Sequence, residues 1–559
     1  MCDSSNRVCA PMLAATVSLF THVALYESGS ENLSDVVSSV ERHPSWDPRY
    51  EPCVPVVSLE GSTTQASLVE VLRWAEELSA LFCPTPGEGV ALVEYLLGIC
   101  FASGTFPSST DEWRNWVAEK HPLDGVAEWL AGQPADAWDL FHREHPLAQN
   151  AELRDQFDED STGPAQLVLE RVGDYSQFFD HHHLEHPVPL PAAEAFRALL
   201  AQHVYGLSGR ARISGKTLGP TLTNLAAGRL QGRIKVVVQG RTVGDTLRLN
   251  LYPAAGGEAG HFNHSWTAKE NPRREFETKP SGRRTSGPAD LHSYLGRSVL
   301  LRPVPVAPGE PVHVDRVLIG AGELLDLDPE RDLEDAVLGT MLNGHRKPLW
   351  PSPTRALWRE AHALYSAATR ETKGVFGRLR NLTFPQDGEG PPCVLWAVGL
   401  LADKTLASTW TEGHFPYAPS QGEALCTASR RGSEIAEYVA RALERAAYAA
   451  WKIVYPNPKP TDRGAQMARF DARQEFWPAA EDPFRWLLDA TVRGDDVPRA
   501  LLDYAAELRL KAADFLKHRL DALPHDEKGL LARARAEHRF GQDMAAAKAP
   551  AELRGETYL

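Results

Sequence analysis

"SEIAEYVARALERAAYAAWKIVY", residues 433–455, has apolar positions that recur at intervals of three or four. The recurring positions are Ile435, Val439, Leu443, Ala446, Ala450 and Ile453. Because an α-helix makes one turn in about 3.6 residues, this spacing places these side chains on one face. Ser433 starts the stretch, and serine readily accepts hydrogen bonds from the exposed N–H groups at a helix start. The stretch therefore predicts a long helix, capped by Ser433, that buries one face.

Three more helical patterns follow this stretch, separated from one another by Pro and Gly. They span residues 464–491, 497–523 and 526–547. Short breaks between consecutive helices favour antiparallel neighbours, the arrangement found in four-helix bundles. The sequence therefore predicts a C-terminal four-helix bundle at residues 426–559.

The chain upstream of the bundle mixes strand and helix patterns. Residues 54–82 predict a short strand, a turn at Gly61 and an amphipathic helix. The apolar face of that helix would comprise Leu68, Val71, Leu72 and Leu78. Further helices are predicted at 89–102, 190–206 and 355–371, paired strands at 232–253, and single strands at 298–306 and 393–402. We therefore expect the α+β class: a large mixed α/β N-terminal domain at 44–425, preceded by an extension at 1–43 and followed by the four-helix bundle.

The composition is that of a soluble globular protein, with 43% hydrophobic and 24% charged residues. Its seven cysteines are scattered and form no CxxC pair, which argues against zinc ribbons. The apolar run at residues 11–26 is short for a membrane span and is interrupted by His22. Motifs such as GxSxG and HExxH do not occur. The sequence thus predicts a cytoplasmic protein without enzymatic activity, cofactor or membrane partner.

The charge of the chain is distributed unevenly. The formal net charge is −15, yet residues 205–304 contain sixteen basic and six acidic residues. The basic residues of this basic segment are Arg210, Arg212, Lys216, Arg229, Arg233, Lys235, Arg241, Arg248, Lys269, Arg273, Arg274, Lys279, Arg283, Arg284, Arg297 and Arg302. Because salt screens charges beyond about 10 Å, a confined cationic region is typical of local phosphate contact. The alternative is an ordinary solvated surface.

A histidine-rich stretch, QFFDHHHLEHP at residues 177–187, offers Asp180, His181, His182, His183 and His186 as metal ligands. Neighbouring side chains of an extended loop point to opposite sides, so these groups cannot all reach one ion. A metal site would need further ligands from elsewhere. A metal-dependent phosphoesterase or nuclease is therefore the alternative hypothesis. We favour a loop whose histidines make hydrogen bonds or stack near nucleic acid.

The basic segment begins with a glycine-spaced stretch, YGLSGRARISGKTLGP at residues 205–220. Gly206 and Gly209 allow the backbone to approach a ligand closely, and Arg210, Arg212 and Lys216 supply cations for phosphate groups. The alternative is a flexible connector with incidental charges. The pattern favours a nucleic-acid contact.

Seven motifs, in order, together resemble the CasA family, the large subunits of type I-E CRISPR Cascade complexes. They lie at residues 137–149, 178–209, 240–253, 287–301, 355–360, 396–410 and 473–484. The resemblance extends over residues 44–559 and leaves 1–43 unmatched. It implies a mixed α/β domain followed by a four-helix bundle, as the residue patterns do.

The resemblance also implies a function. Such a subunit would recognise the protospacer-adjacent motif (PAM) in double-stranded DNA, promote target unwinding and R-loop formation, and recruit the helicase-nuclease effector. Its partners would be target DNA, the guide RNA ribonucleoprotein, and the backbone, small and RNA-end-binding subunits of Cascade. A scaffold that docks subunits without touching DNA is the remaining alternative.

The resemblance assigns DNA-contacting residues to three segments. The first, here called the histidine loop, is residues 178–183, with Phe178, Phe179, Asp180, His181 and His182. The second, the glycine loop, is Gly206–Arg210. The third, the hairpin tip, is Asp403, Lys404 and Thr405, where Asp and Lys replace the family's usual Asn and Gln. Arg331 lies near the position of the family's lysine finger.

Overall fold

The structure, a computed structural model, describes most of the chain from Pro44 onward. The described ranges are 44–171, 188–210, 224–267, 282–304, 310–327, 337–340, 346–380, 382, 392–403, 406–457 and 459–557. The predicted extension at residues 1–43 lies outside them.

The region before the bundle contains both helices and strands. The strands are β1 Val54–Ser58, β2 Thr63–Ala66, β3 Leu78–Leu81, β4 Leu190–Pro191, β5 Gly209–Arg210, β6 Asn224–Leu225, β7 Lys235–Gln239, β8 Arg297–Val304, β9 His313–Ala321, β10 Leu338–Thr340, β11 Arg346–Pro348, β12 Cys393–Asp403 and β13 Leu406–Tyr417. The α-helices are α1 Leu68–Arg73, α2 Pro86–Ala102, α3 Thr110–Ala118, α4 Asp124–Ala131, α5 Ala135–Trp138, α6 Phe157–Asp160, α7 Ala192–Tyr205, α8 Val243–Asn250, α9 Pro288–His292, α10 Ala361–Arg370 and α11 Gly374–Leu379.

The first sheet has the order β2-β1-β3 and is antiparallel. A capping box starts α1, because Ser67 accepts from the Glu70 backbone N–H and the Glu70 carboxylate accepts from the Ser67 N–H. The prediction that Leu78 lies on this helix is wrong. The helix ends at Arg73, and Leu78 lies on β3, where it is in register with Ser58 of β1.

Helix α2 forms the centre of the N-terminal region. Thr85 is its N-cap, and Pro86 is its first residue. Nearly every residue from Gly87 to Phe101 is buried. A helix that is apolar all round has to lie inside the protein. It packs against α7, α9 and strand β12.

The paired strands predicted at residues 232–253 are wrong in their second half. The Val/Ile run forms β7, but the following LRLNLY lies largely in helix α8, capped by Thr242. Asn250 explains this arrangement: its side-chain amide donates to Val238 O at 2.7 Å and accepts from Val238 N at 3.1 Å. The amide thus takes the place of a neighbouring strand, and β7 pairs on its other side with β12.

The sheet β13-β12-β7 separates two apolar cores. Successive side chains of a strand point to opposite faces. Accordingly, Trp396 and Val398 belong to the core around α2, whereas Leu395 and Ala397 belong to the core that contains the bundle. A third antiparallel sheet has the order β4-β9-β8 and borders the first core.

The predicted C-terminal bundle is confirmed. Its region comprises α12 Gly422–Val454, α13 Arg463–Ala468, α14 Arg473–Ala479, α15 Glu481–Val492, α16 Val497–Asp521 and α17 Glu527–Ala545. Helices α15, α16 and α17 all pack on α12, and α16 contacts the other two. The prediction that Ser433 is an N-cap is wrong, because the buried face continues upstream through Leu425 and Ala428 and the helix begins at Gly422.

These elements confirm the α+β class and its order along the chain. The domain boundary at 425/426 stays a prediction. Among the helices that the structure describes, none combines the length and apolar character needed to cross a membrane.

Candidate nucleic-acid interface

Most residues predicted to contact DNA lie outside the described ranges. These are Phe178, Phe179, Asp180, His181, His182, Arg212, Lys216, Arg331, Lys404 and Thr405. Gly206 and Gly209 are described fully, whereas Arg210 and Asp403 are described as backbone of β5 and β12. Their contacts with DNA stay predictions, and the structure informs them through the residues that flank each segment.

The segments that flank the three predicted DNA-contacting elements meet at Trp410 on β13. The indole N–H of Trp410 donates to the carboxylate of Glu170, which precedes the histidine loop in the chain. The ring of Tyr205, directly before the glycine loop, contacts the Trp410 ring edge-on with centroids 4.8 Å apart. Trp410 itself belongs to the hairpin whose tip is the third element. Glu170 before the histidine loop, Tyr205 before the glycine loop and Trp410 on β13 therefore meet at one place in the fold.

Strands β12 and β13 form an antiparallel hairpin that packs on helix α2. Asp403 pairs with Leu406, and Lys404 and Thr405, which come between them in the chain, lie outside the described ranges. Trp410 follows Leu406 by four residues, a distance of about 13 Å along a strand. A Cβ on Gly87 would overlap the Trp410 ring, and one on Gly89 would lie 2.9 Å from Trp396. The base of the hairpin is thus seated on the first turns of α2.

The glycine loop packs directly on a buried arginine. A Cβ on Gly206 would lie 2.5 Å from Nη2 of Arg297. The same guanidinium donates to Leu207 O and to Gly296 O, each at 2.8 Å. Burial lowers the pKa of Arg297 to about 10, so the group is charged at neutral pH. Glycine is therefore needed at position 206 for packing within the protein, independently of any contact with DNA.

We expect Gly206→Ala to lower the free energy of unfolding by about 1–3 kcal/mol, the usual cost of overpacking a filled site. Thermal unfolding of the free protein, without DNA, measures this effect. Gly125→Ala in α4 is the control, because a Cβ there meets nothing within 4 Å and alanine favours a helix. Equal stability of the Gly206 variant and the wild type would contradict the packing argument.

Many cations of the basic segment form ion pairs with carboxylates of the same protein. Arg248 binds Glu76 and Asp245, Arg283 binds Asp290 and Glu323, and Arg302 binds Asp315. Arg229 and Lys235 contact Glu94. The charge available to a partner is therefore smaller than the composition indicates. Arg241 and Arg284 are exposed, and Arg233 is half-buried. The side chains of Arg210, Arg212, Lys216, Lys269, Arg273, Arg274 and Lys279 lie outside the described part.

Glu94 is the centre of the most deeply buried of these charge clusters. Its Oε1 lies 2.7 Å from Nζ of Lys235, and its Oε2 contacts Arg229 and lies 2.8 Å from Nδ1 of His292. Burial alone would raise the pKa of Glu94, but Arg229, Lys235 and His292 outweigh it and hold the pKa well below its ordinary value. The cluster joins α2, the start of β7 and helix α9.

The structure gives no support to the metal-site alternative. Within the described ranges, no group of three or more His, Cys, Asp and Glu side chains is arranged to hold an ion. The histidines on which that alternative depends lie in residues 177–187, outside those ranges.

The sequence patterns did not reveal Glu170, Tyr205, Arg297 and Trp410 as parts of the site. A weak signal existed for Trp410, because two glycines spaced by one residue in the first turns of an apolar helix indicate close packing by large side chains. No local signal distinguishes Arg297 from the other arginines of the basic segment.

Comparison with known proteins gives consistent matches. The chain matches the profile of the family described as CRISPR-associated protein Cse1 over residues 50–515. The crystal structure of Cse1 from Acidimicrobium ferrooxidans is 20% identical, with a TM-score of 0.70, and the alignment covers 92% of this chain and 99% of that one. Thermobifida fusca Cse1 is 21% identical, with a TM-score of 0.70 and coverage of 92% and 99%.

A chain from a structure described as a CRISPR RNA-guided surveillance complex is also similar. It is 23% identical, with a TM-score of 0.66, and the alignment covers 89% of this chain and 100% of that one. No curated protein matches the sequence. The structural similarities establish a shared fold.

Proposed function

Because the chain belongs to the CRISPR-associated Cse1 family, also called CasA, we propose that it is the large subunit of a type I-E CRISPR RNA-guided surveillance complex, Cascade. In that complex it recognises the PAM in double-stranded DNA, promotes unwinding and R-loop formation, and helps recruit the helicase-nuclease effector. Base pairing with the guide RNA reads the rest of the target. The protein acts without catalysis of its own.

The observation that supports this function best is the convergence on Trp410. Duplex recognition and strand opening need contacts to the groove and a wedge close beside them. Glu170 and Tyr205 join the flanks of the histidine loop and the glycine loop to the hairpin. Lys404 and Thr405 come directly after Asp403 in the chain, and we infer that they act on the DNA together with both loops.

The partners follow from the same proposal. They are double-stranded target DNA, the guide RNA ribonucleoprotein, the backbone, small and RNA-end-binding subunits, and the helicase-nuclease effector. The similar chain from a surveillance complex supports such an assembly. Co-purification of this protein with the other subunits and a small RNA tests it, and a protein that never enters such a complex would contradict it.

We expect replacement of Lys404 and Thr405 together by Ala and Gly to slow target unwinding about tenfold in the reconstituted complex. Unstacking a base step costs a few kcal/mol, which contacts between the tip and the DNA would offset in part. Losing about 1.4 kcal/mol of these contacts corresponds to a tenfold change. A fluorescent base analogue next to the PAM reports unwinding, while binding to an already opened duplex is the control. Equal loss on both substrates would show that the tip contributes only general affinity.

A further inference from the structure

A cavity of about 300 Å³ lies beside the glycine loop. Its lining includes the apolar side chains of Leu207, Leu225 and Ile319 and the charged side chains of Arg297 and Asp160. Cavities of this volume are large enough for small ligands, which they usually hold by apolar walls and a few polar groups. It is therefore a candidate site in its own right.

Arg297 is the unusual feature of this cavity. Its side chain is buried, with the residue 2% exposed, and two of its N–H groups donate to Gly296 O and Leu207 O. In the part of the chain that the structure describes, no carboxylate forms an ion pair with the guanidinium. Buried charges are normally paired, because an uncompensated one is costly to remove from water. The guanidinium therefore favours an anionic ligand in the adjoining space.

The shape and the chemistry of the cavity indicate what kind of anion it takes. A guanidinium presents several N–H donors in a fixed fork that fits a phosphate group. The cavity is larger than a phosphate ion, and the apolar wall suits a base or sugar. Asp160 can accept a hydrogen bond from a sugar hydroxyl, as acidic residues do in nucleotide sites.

We propose that this cavity binds one nucleotide, with its phosphate on Arg297 and its base against Leu207, Leu225 and Ile319. A free nucleotide and one unit of an unpaired strand share this chemistry. The binding of an unpaired strand in this cavity rests on the proposed function. The binding of a free nucleotide does not.

Calorimetric titration of the isolated protein with AMP, adenosine and inorganic phosphate tests the site. We expect AMP to bind more tightly than either fragment. Ile319→Trp fills the cavity from a partly exposed strand position and should weaken AMP binding at least about tenfold. Arg297→Lys, which keeps the charge but loses the fork, should also weaken it.

The control is a second cavity of about 300 Å³, lined by Thr427, Val497 and Leu501 among others. Thr427→Trp should fill that cavity and leave AMP binding unchanged. Absence of saturable AMP binding, or equal binding by wild type and Ile319→Trp, would overturn the proposal. Competition by a short single-stranded oligonucleotide would assign the site to a strand, and failure to compete would assign it to the free nucleotide.

Failure of this proposal and failure of the proposed function can be told apart. AMP binding is measured on the isolated protein, whereas PAM-dependent duplex binding is measured on the reconstituted complex. PAM-dependent duplex binding without AMP binding would contradict the cavity proposal and leave the proposed function intact. AMP binding without PAM-dependent duplex binding would remove the proposed function and leave the cavity as a free-nucleotide site.

Discussion

Replacement of Glu94 by glutamine should lower the free energy of unfolding by about 3–5 kcal/mol at neutral pH, the usual cost of removing one partner from a buried ion pair. The carboxylate is fully buried and faces Arg229, Lys235 and His292. The glutamine side chain has nearly the same shape but removes the negative charge, so the neighbouring cations lose this counter-charge. The shift in the urea midpoint, monitored by circular dichroism, measures the loss.

The pH dependence of this difference has a definite sign. The folded-state pKa of Glu94 is held well below its ordinary value, so its contribution is fully present above the unfolded-state pKa of about 4.3. It is lost as the pH falls through the lower folded-state pKa. The stability difference between wild type and Glu94→Gln should therefore be present at pH 5 and shrink below about pH 4.

Glu88 on the same helix provides the matched control. It pairs with Arg197, but burial raises its pKa and Arg197 offsets that effect only in part. A raised folded-state pKa contributes stability at low pH that is lost as the pH rises through it. The wild-type advantage over Glu88→Gln should therefore decrease with rising pH, the opposite trend to Glu94. Parallel trends for both variants would contradict the assignment of the acid effect to the Glu94 cluster.

The predicted elements were correct where periodicity and local signals agreed. The long stripe that starts near Ile435 identified the bundle because its buried face is continuous for many turns. Local patterns failed where a tertiary contact replaced the expected partner. The side chain of Asn250 satisfies Val238 and so allows a helix where alternation predicted a strand. Strand pairing with Ser58 likewise takes Leu78 away from α1.

The candidate site was less predictable than the fold. Composition counts every arginine of the basic segment alike, whereas the structure separates them by their partners. Arg248 and Arg283 lie between two carboxylates each, and one of the partners comes from a distant part of the chain in both cases. No sequence pattern shows that Glu76 faces Arg248, because only folding brings them together. The sequence shows the order of the family motifs along the chain. It does not show that Glu170 and Tyr205 contact Trp410 in the folded protein.

Neutralising Arg210, Arg212 and Lys216 together should weaken binding of the reconstituted complex to a PAM-containing duplex by about 10²–10³-fold at about 0.1 M salt. Each phosphate contact contributes about 0.9 to the slope of log affinity against log salt concentration. At about 0.1 M salt, the loss of one contact therefore lowers the binding constant about eightfold. These three cations belong to the glycine-spaced stretch at the start of the basic segment, for which we predict a phosphate contact. The log–log slope should become shallower by about 3, and fluorescence polarisation over a salt series measures both quantities.

A cation from the same segment with an internal partner supplies the control. Arg302 donates to both carboxylate oxygens of Asp315 at 2.9 and 2.7 Å, and replacing the pair by Gln and Asn leaves the net charge unchanged. That double variant should keep the affinity and the salt slope of the wild type. If neutralising the three cations of the glycine-spaced stretch also leaves the slope unchanged, the stretch does not contact phosphates and the protein is a scaffold at this surface. If both variants weaken binding equally, position along the chain, rather than pairing inside the fold, determines which cations reach DNA.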